Sequence, residues 1–245
     1  MTGPLAYLLT ILYTLPGAVI GLVVHELAHS AIALRAGDPT PARDRRMTLD
    51  PRRQLDPFGF PALLVAGFGW GRALQLDPRF LRRPGARAAV AAAGPASHLV
   101  VAAVFALALR VELLTSGLDV NGLDIVAQRT PQGIVVGLLM QGFFINVALA
   151  IYNALPLPGL DGYAFARALL FNRMPRVFLV AEDQRFLVYA AVVAVVVVLP
   201  EVTARAINPV SALSVAPATL IFTHAIVPGS TPLFLGLPNI FQLIG

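Results

Sequence analysis

Val23 to Arg35 reads VVHELAHSAIALR and places His25, Glu26 and His29 inside a segment otherwise apolar from Leu5 to Leu34. Ionisable groups left in lipid cost at least ~2.5 kcal/mol each, so within a membrane span they face the protein interior or a water-filled cavity and carry function. At helical spacing His25 and His29 are i and i+4. Their imidazoles then project from one face and reach a single metal ion, with Glu26 turned slightly aside. This spacing suits zinc, which accepts neutral imidazole nitrogens and fills its remaining positions with a third protein ligand and a water. The competing reading is a polar pair that cements helix contacts.

The surrounding chain agrees with a membrane setting. Of 245 residues 57% are hydrophobic and 13% charged, which points to a polytopic, all-α membrane protein with about five to six transmembrane helices. Residues 1–245 read as a single membrane-embedded domain, with a core over about 5–185 and C-terminal spans over about 186–227. There is no cysteine, so a metal must be held by His, Asp or Glu. The chain has 18 arginines and no lysine, and 11 of the arginines lie between Arg35 and Arg87. That clustering reads as cytoplasmic topology on a lipid bilayer rather than nucleic-acid binding. The first span has no positive n-region and no small-residue cleavage site, so it is expected to be retained.

Along the chain, Leu5 to Leu34 is long enough to cross with tilt, with a kink at Pro16 and Gly17 and a stop at Gly37 to Pro39. His29 then lies roughly 9 Å below Arg35 along the axis, which puts the site nearer the basic, cytoplasmic face. Asp38 to Asp56 reads as a solvated, orienting loop. Pro57 to Leu76 is apolar but interrupted by glycine and proline, and is expected to be re-entrant with a short strand around Trp70 to Leu76. The free edge of that strand, with Trp70, Gly71, Arg72, Ala73 and Leu74 as candidates, suits an extended peptide. Ala88 to Leu109 is the next span, in which Pro95 bends the helix. Ser97 and His98 are neighbours pointing about 100° apart, so they are no hydrolase pair. Ile134 to Tyr152 follows and runs into NALPLPGLDG, where Pro156 and Pro158 break the helix before Asp161. Tyr163 to Asn172 reads as an amphipathic surface helix, and Phe186 to Leu199 and Val210 to Val227 as further spans. His224 in the last of these reads as structural.

Three separated signals resemble one family, the site-2 proteases, which are intramembrane zinc metalloproteases: HELAH at His25 to His29, AAGPASH at Ala92 to His98, and NALPLPGLDG at Asn153 to Gly162. DPFG at Asp56 to Gly59 and FGWGRALQLDP at Phe68 to Pro78 also look like its compact members, which lack PDZ and CBS domains. The resemblance implies His25, His29 and Asp161 as zinc ligands and Glu26 as general base. It also implies Asn153 as the group holding the scissile carbonyl or its oxyanion, although a helix-end cap remains the other reading of Asn153. Where the family usually has Asn closing G-P-x-x-N, this chain has His98, read either as a packing and hydrogen-bonding residue or as a metal neighbour. GRAL replaces the proline-containing run usual in compact relatives. The implied substrate is the transmembrane helix of a membrane-anchored regulator, such as an anti-sigma factor or membrane-bound transcription factor. The resemblance also leaves room for a separate regulatory adaptor. The competing class is a zinc-binding membrane scaffold without proteolysis, which has no need of Glu26.

Overall fold

The computed structural model describes residues 4–66, 69–116, 130–202 and 216–226. Helix α1 (Pro4–Arg35) is followed by the short helices α2 (Thr40–Arg43), α3 (Pro51–Gln54) and α4 (Gly59–Ala66). Then come α5 (Pro84–Ser116), α6 (Pro131–Ala154), α7 (Asp161–Leu170), α8 (Pro175–Asp183), α9 (Arg185–Val202) and α10 (Ala216–Ile221), the last running into a π turn over Phe222–Ile226. Among the described residues, three helices are long and apolar enough to cross a membrane: α1 from Leu8, α5 and α6. The expected span Phe186 to Leu199 lies within α9. Val210 to Val227 falls partly outside the described residues, and its described part forms α10 and the π turn.

Local chemistry sets the helix ends. Gly37 adopts φ 101° after α1, its N–H donates to Leu34 O, and the Asp38 N–H donates to Ala33 O, a glycine-closed helix end. Thr130 caps α6 by accepting from the Gly133 N–H, with Pro131 in the first turn. At its other end α6 stops at Ala154, two residues before Pro156. Pro16 and Pro95 sit inside α1 and α5, which run on through them.

Helices α1, α5 and α6 pack on one another and form the body of the molecule. Met140, Phe143, Phe144 and Val147 of α6 meet Ala102 and Leu109 of α5, together with Phe222 and Ile226. On the other side Ile145 and Leu149 pack with Ala18 and Leu22 of α1 and Leu63 of α4. Between apolar helices in lipid, close packing and interhelical hydrogen bonds supply the cohesion. Asn146, fully buried, supplies such bonds. Its Nδ2 donates to Gly17 O at 3.0 Å and to Gly142 O at 2.8 Å, and its Oδ1 faces His98 Nδ1 at 2.9 Å. One amide thus joins all three long helices. Leu99, Val100, Val104, Leu107, Val111 and Leu114 leave the outer face of α5 more than half exposed, which suits a lipid-facing surface.

Two expectations change. The strand expected over Trp70 to Leu76 does not form. Among the described residues there is one isolated antiparallel bridge, between Leu55 and Gly71, extended by an Arg72 N–H to Gln54 O bond at 2.8 Å. The facing segment is the end of the four-residue helix α3, so no second extended strand is present to continue a ladder. The loop Asp38 to Asp56 is not simply solvated either. Arg43, Arg45, Arg52 and Arg53 point outward, but Asp38, Pro41, Arg46 and Gln54 are buried.

Asp38 fastens this loop. Its Oδ1 accepts from the Thr40 N–H and its Oδ2 from the Asp77 N–H, both at 2.9 Å. Burial alone would raise the Asp38 carboxyl, but the hydrogen bonds from Thr40 and Asp77 outweigh it and hold the carboxyl below its ordinary value. A carboxyl depressed in the folded state contributes stability above its unfolded value and loses that contribution as pH falls through the folded one. Asp38→Asn is therefore expected to cost about 1 kcal/mol at neutral pH, with the gap to wild type closing only in acid below about pH 4. Thermal unfolding of the detergent-solubilised pair across pH checks this, and equal midpoints at neutral pH would refute it.

Candidate metal centre

The centre starts on α1, where the helical repeat puts His25 and His29 one turn apart. Both are buried, as is Glu26. The His29 Nδ1–H donates to Val90 O of α5 at 2.7 Å. That bond fixes the tautomer and leaves Nε2 as a bare lone pair facing inward, the arrangement a metal-binding imidazole requires. α5 reaches α1 closely enough for this because Gly94 has no side chain. A Cβ there would collide with His25 Cε1 and His29 Nε2.

The third group arrives from the far side. After α6 breaks at the prolines, Gly159 turns the chain with φ 88°, a left-handed conformation that glycine adopts without a steric penalty. Leu160 is extended, and Asp161 opens α7. The Tyr189 hydroxyl of α9 donates to Pro158 O and braces the turn. Asp161 Oδ2 then lies 3.3 Å from His25 Nε2 and 3.2 Å from His29 Nε2, and the two nitrogens are 3.1 Å apart.

These three atoms form a nearly equilateral triangle of electron-pair donors. One proton can bridge a single edge, not all three. A tetrahedral zinc with bonds of ~2.0–2.1 Å holds its ligands about 3.3–3.4 Å apart, close to the observed edges. Two imidazole nitrogens and one carboxylate oxygen also match the donor chemistry of an open zinc site. Among the described residues, these are the three whose ligand atoms come together as a metal site. The residues fit the metal.

Glu26 lies next along the helix and is held from the loop side. Its Oε2 accepts from Arg46 Nη2 at 3.1 Å, a buried ion pair. Burial pushes the Arg46 guanidinium below its ordinary range, while the Glu26 charge pulls it back up.

The comparisons with known proteins bear on the same chemistry. No family model matches the chain, and no solved structure matches it. Over 179 residues it is 34% identical to the Bacillus subtilis protein named "Putative zinc metalloprotease YwhC", covering 70% of this chain and 75% of that protein. The chain belongs to the site-2 protease family. Relatives named "Putative zinc metalloprotease Rip2" match at 31% over 169 residues in Mycobacterium tuberculosis and at 30% over 193 residues in Mycolicibacterium smegmatis. Those alignments cover 66% and 76% of this chain, and 58% and 68% of the relatives.

The remaining candidates are placed less directly. His98 is fully buried and its ring lies 4.8 Å from that of His25. Because Asn146 Nδ2 is committed to two carbonyls, its Oδ1 is the acceptor, and His98 Nδ1 carries the proton between them. His98 Nε2 has no hydrogen-bond partner, and the residue stands outside the three-ligand group. Asn153 is half-buried, and its Nδ2 donates to Leu149 O of its own helix at 2.9 Å. Within the segment from Trp70 to Leu74, Gly71 abuts Glu26, since a Cβ there would strike Glu26 Oε1. Trp70 is 52% exposed, and Arg72 and Ala73 are also exposed. His224 is exposed, with its Nδ1 on Leu220 O, and is not part of the three-ligand group. Arg46 and Val90 O were not visible as site components, and Gly94 was visible only as part of the AAGPASH signal. Their contacts at the site are made between segments.

Proposed function

We propose that this protein is an intramembrane zinc endopeptidase that cleaves a peptide bond in or near the transmembrane helix of a membrane-anchored regulator. An anti-sigma factor or membrane-bound transcription factor fits that class. The observation that carries the reading is the convergence of His25, His29 and Asp161 beside the Glu26 carboxylate, with the histidines on a helix long enough to span a bilayer. His25 Nε2, His29 Nε2 and Asp161 Oδ2 would hold the metal. Zinc, when bound, supplies Lewis acidity, bringing the pKa of water in the site towards about 7 and polarising a carbonyl.

The chain's own residues do the rest. Glu26 takes a proton from the attacking water as its oxygen bonds to the scissile carbonyl carbon. It returns that proton to the amide nitrogen as the C–N bond breaks, which releases an amine and a carboxylate. Asn153 Nδ2 gives one N–H to Leu149 O, and its second N–H would serve the carbonyl oxygen. The substrate helix must unwind at the cleaved bond, because helical hydrogen bonding and packing shield its amides, and a Gly or Pro nearby lowers that cost. The exposed apolar surfaces and the basic loop support a multi-pass protein in the cell membrane with the site nearer the cytoplasm, acting as one membrane-embedded domain. A separate adaptor would bring substrate selection from outside the chain.

The test uses a probe peptide with a single apolar helix of roughly 20 residues, broken by Gly-Pro and co-reconstituted with the purified protein. Cleavage within the apolar stretch, lost on chelation and restored by zinc, is expected. A zinc-loaded protein that leaves the peptide intact would remove the protease reading and favour a zinc-binding scaffold.

A further inference from the structure

Of the 11 arginines between Arg35 and Arg87, Arg46 turns into the molecule and is only 6% exposed. Its placement is built rather than incidental. Arg45 has φ 54°, the positive-φ non-glycine residue among those described. Such a backbone is uncommon for a residue with a Cβ, and conformations of this kind cluster where function demands them. Gln54, itself fully buried, donates from Nε2 to Arg46 O at 2.8 Å and to Thr48 O at 2.7 Å. These bonds secure the backbone from which the guanidinium projects.

The guanidinium then joins three segments. Nη2 donates to Glu26 Oε2 at 3.1 Å and to Arg72 O, and Nη1 donates to Arg53 O. Nε is buried and has no acceptor. The contact with Glu26 is directional. Arg46 holds Oε2, while Oε1 lies against Gly71, where no Cβ could fit. Oε1 is therefore the oxygen left to carry a proton. A planar fork can serve a carboxylate and two carbonyls together, which an ammonium, a point charge on a flexible stem, does poorly.

We propose that Arg46 is a positioning residue for peptide-bond hydrolysis: its guanidinium fixes Glu26 through Oε2, leaves Oε1 free of that ion pair for the reacting water, and ties the carboxylate to the backbone at Arg72. The proposal rests on the reading of Glu26 as general base. Arg46 touches none of the three ligand atoms, so its removal changes the rate of proton transfer and not the metal site. The segment Trp70 to Leu74 is joined to the base through Arg72 O.

The experiment compares Arg46→Gln, Arg46→Met and Arg46→Lys with wild type and Glu26→Gln, all as full chains on the Gly-Pro probe peptide. Arg46→Gln and Arg46→Met are expected to lower kcat by about 10²-fold with KM within about threefold. Zinc content and the visible spectrum of the cobalt-substituted protein should be unchanged. Arg46→Lys, which keeps the charge, should recover about tenfold of the lost rate. Wild-type kcat in Arg46→Gln, with Glu26→Gln inactive, overturns the proposal and leaves the protease reading standing. A rate that falls only in step with zinc content and thermal midpoint, with lysine no better than methionine, makes Arg46 a structural tie and also overturns it. Equal cleavage by wild type and Glu26→Gln removes the general base, and the proposal with it.

Discussion

Glutamine at position 26 is expected to leave zinc bound and to slow hydrolysis of the transmembrane probe by about 10³-fold. The substitution keeps the size of the side chain and its acceptor for Arg46 Nη2, now an amide oxygen in place of Oε2. What it removes is the capacity to take a proton from water and return it to the leaving nitrogen. His25, His29 and Asp161 are untouched, so the metal site keeps its donors. Zinc content and kcat measured on the same preparation separate the two effects. A variant that retains zinc and cleaves at the wild-type rate would show that proton transfer does not pass through Glu26.

Alanine at position 161 is expected to empty the metal site after mild chelation, while wild type retains about one zinc per chain. The site has three protein donors, and Asp161 is the one that carries a formal charge. Its Oδ2 closes both remaining edges of the triangle with the histidine nitrogens, and without it two neutral imidazoles on one helix face are left to hold a divalent ion. The helix core is separate from this change, since Asp161 is half-buried outside the packed clusters. Metal analysis of both proteins, purified side by side, gives the result directly. Equal zinc in the two would take Asp161 out of the site, and activity lost with zinc retained would assign it a different role.

The particular elements show what kind of information a linear sequence carries. The His25 and His29 pair is legible because an α-helix returns to the same face every four residues, whatever surrounds it. The end of α1 at Gly37 and the break after α6 at Pro156 and Pro158 are legible for the same reason: the backbone freedom of glycine and the missing N–H of proline act locally. The three long spans are legible from sustained apolarity. The linkage of Asp161 to His29 across 132 positions, and with it to His25, came from family resemblance, not from any spacing rule.

The structure alone decided the rest. A strand at Trp70 to Leu76 needs an extended partner, and the chain folded a helical turn opposite it. His98 could pack, hydrogen-bond or ligate until Asn146 was seen to accept from its Nδ1. Among 11 clustered arginines nothing local distinguishes Arg46, whose burial depends on Gln54, Arg53 and Arg72 meeting it from two other segments. The amino-acid sequence by itself determined that the long segments are helical and apolar and that one of them carries a metal-binding face, because those properties follow from backbone geometry within a single element. Only the tertiary structure decided which groups converge on that face, because that depends on how closely α5 can approach α1 at Gly94 and on where the turn after α6 delivers Asp161.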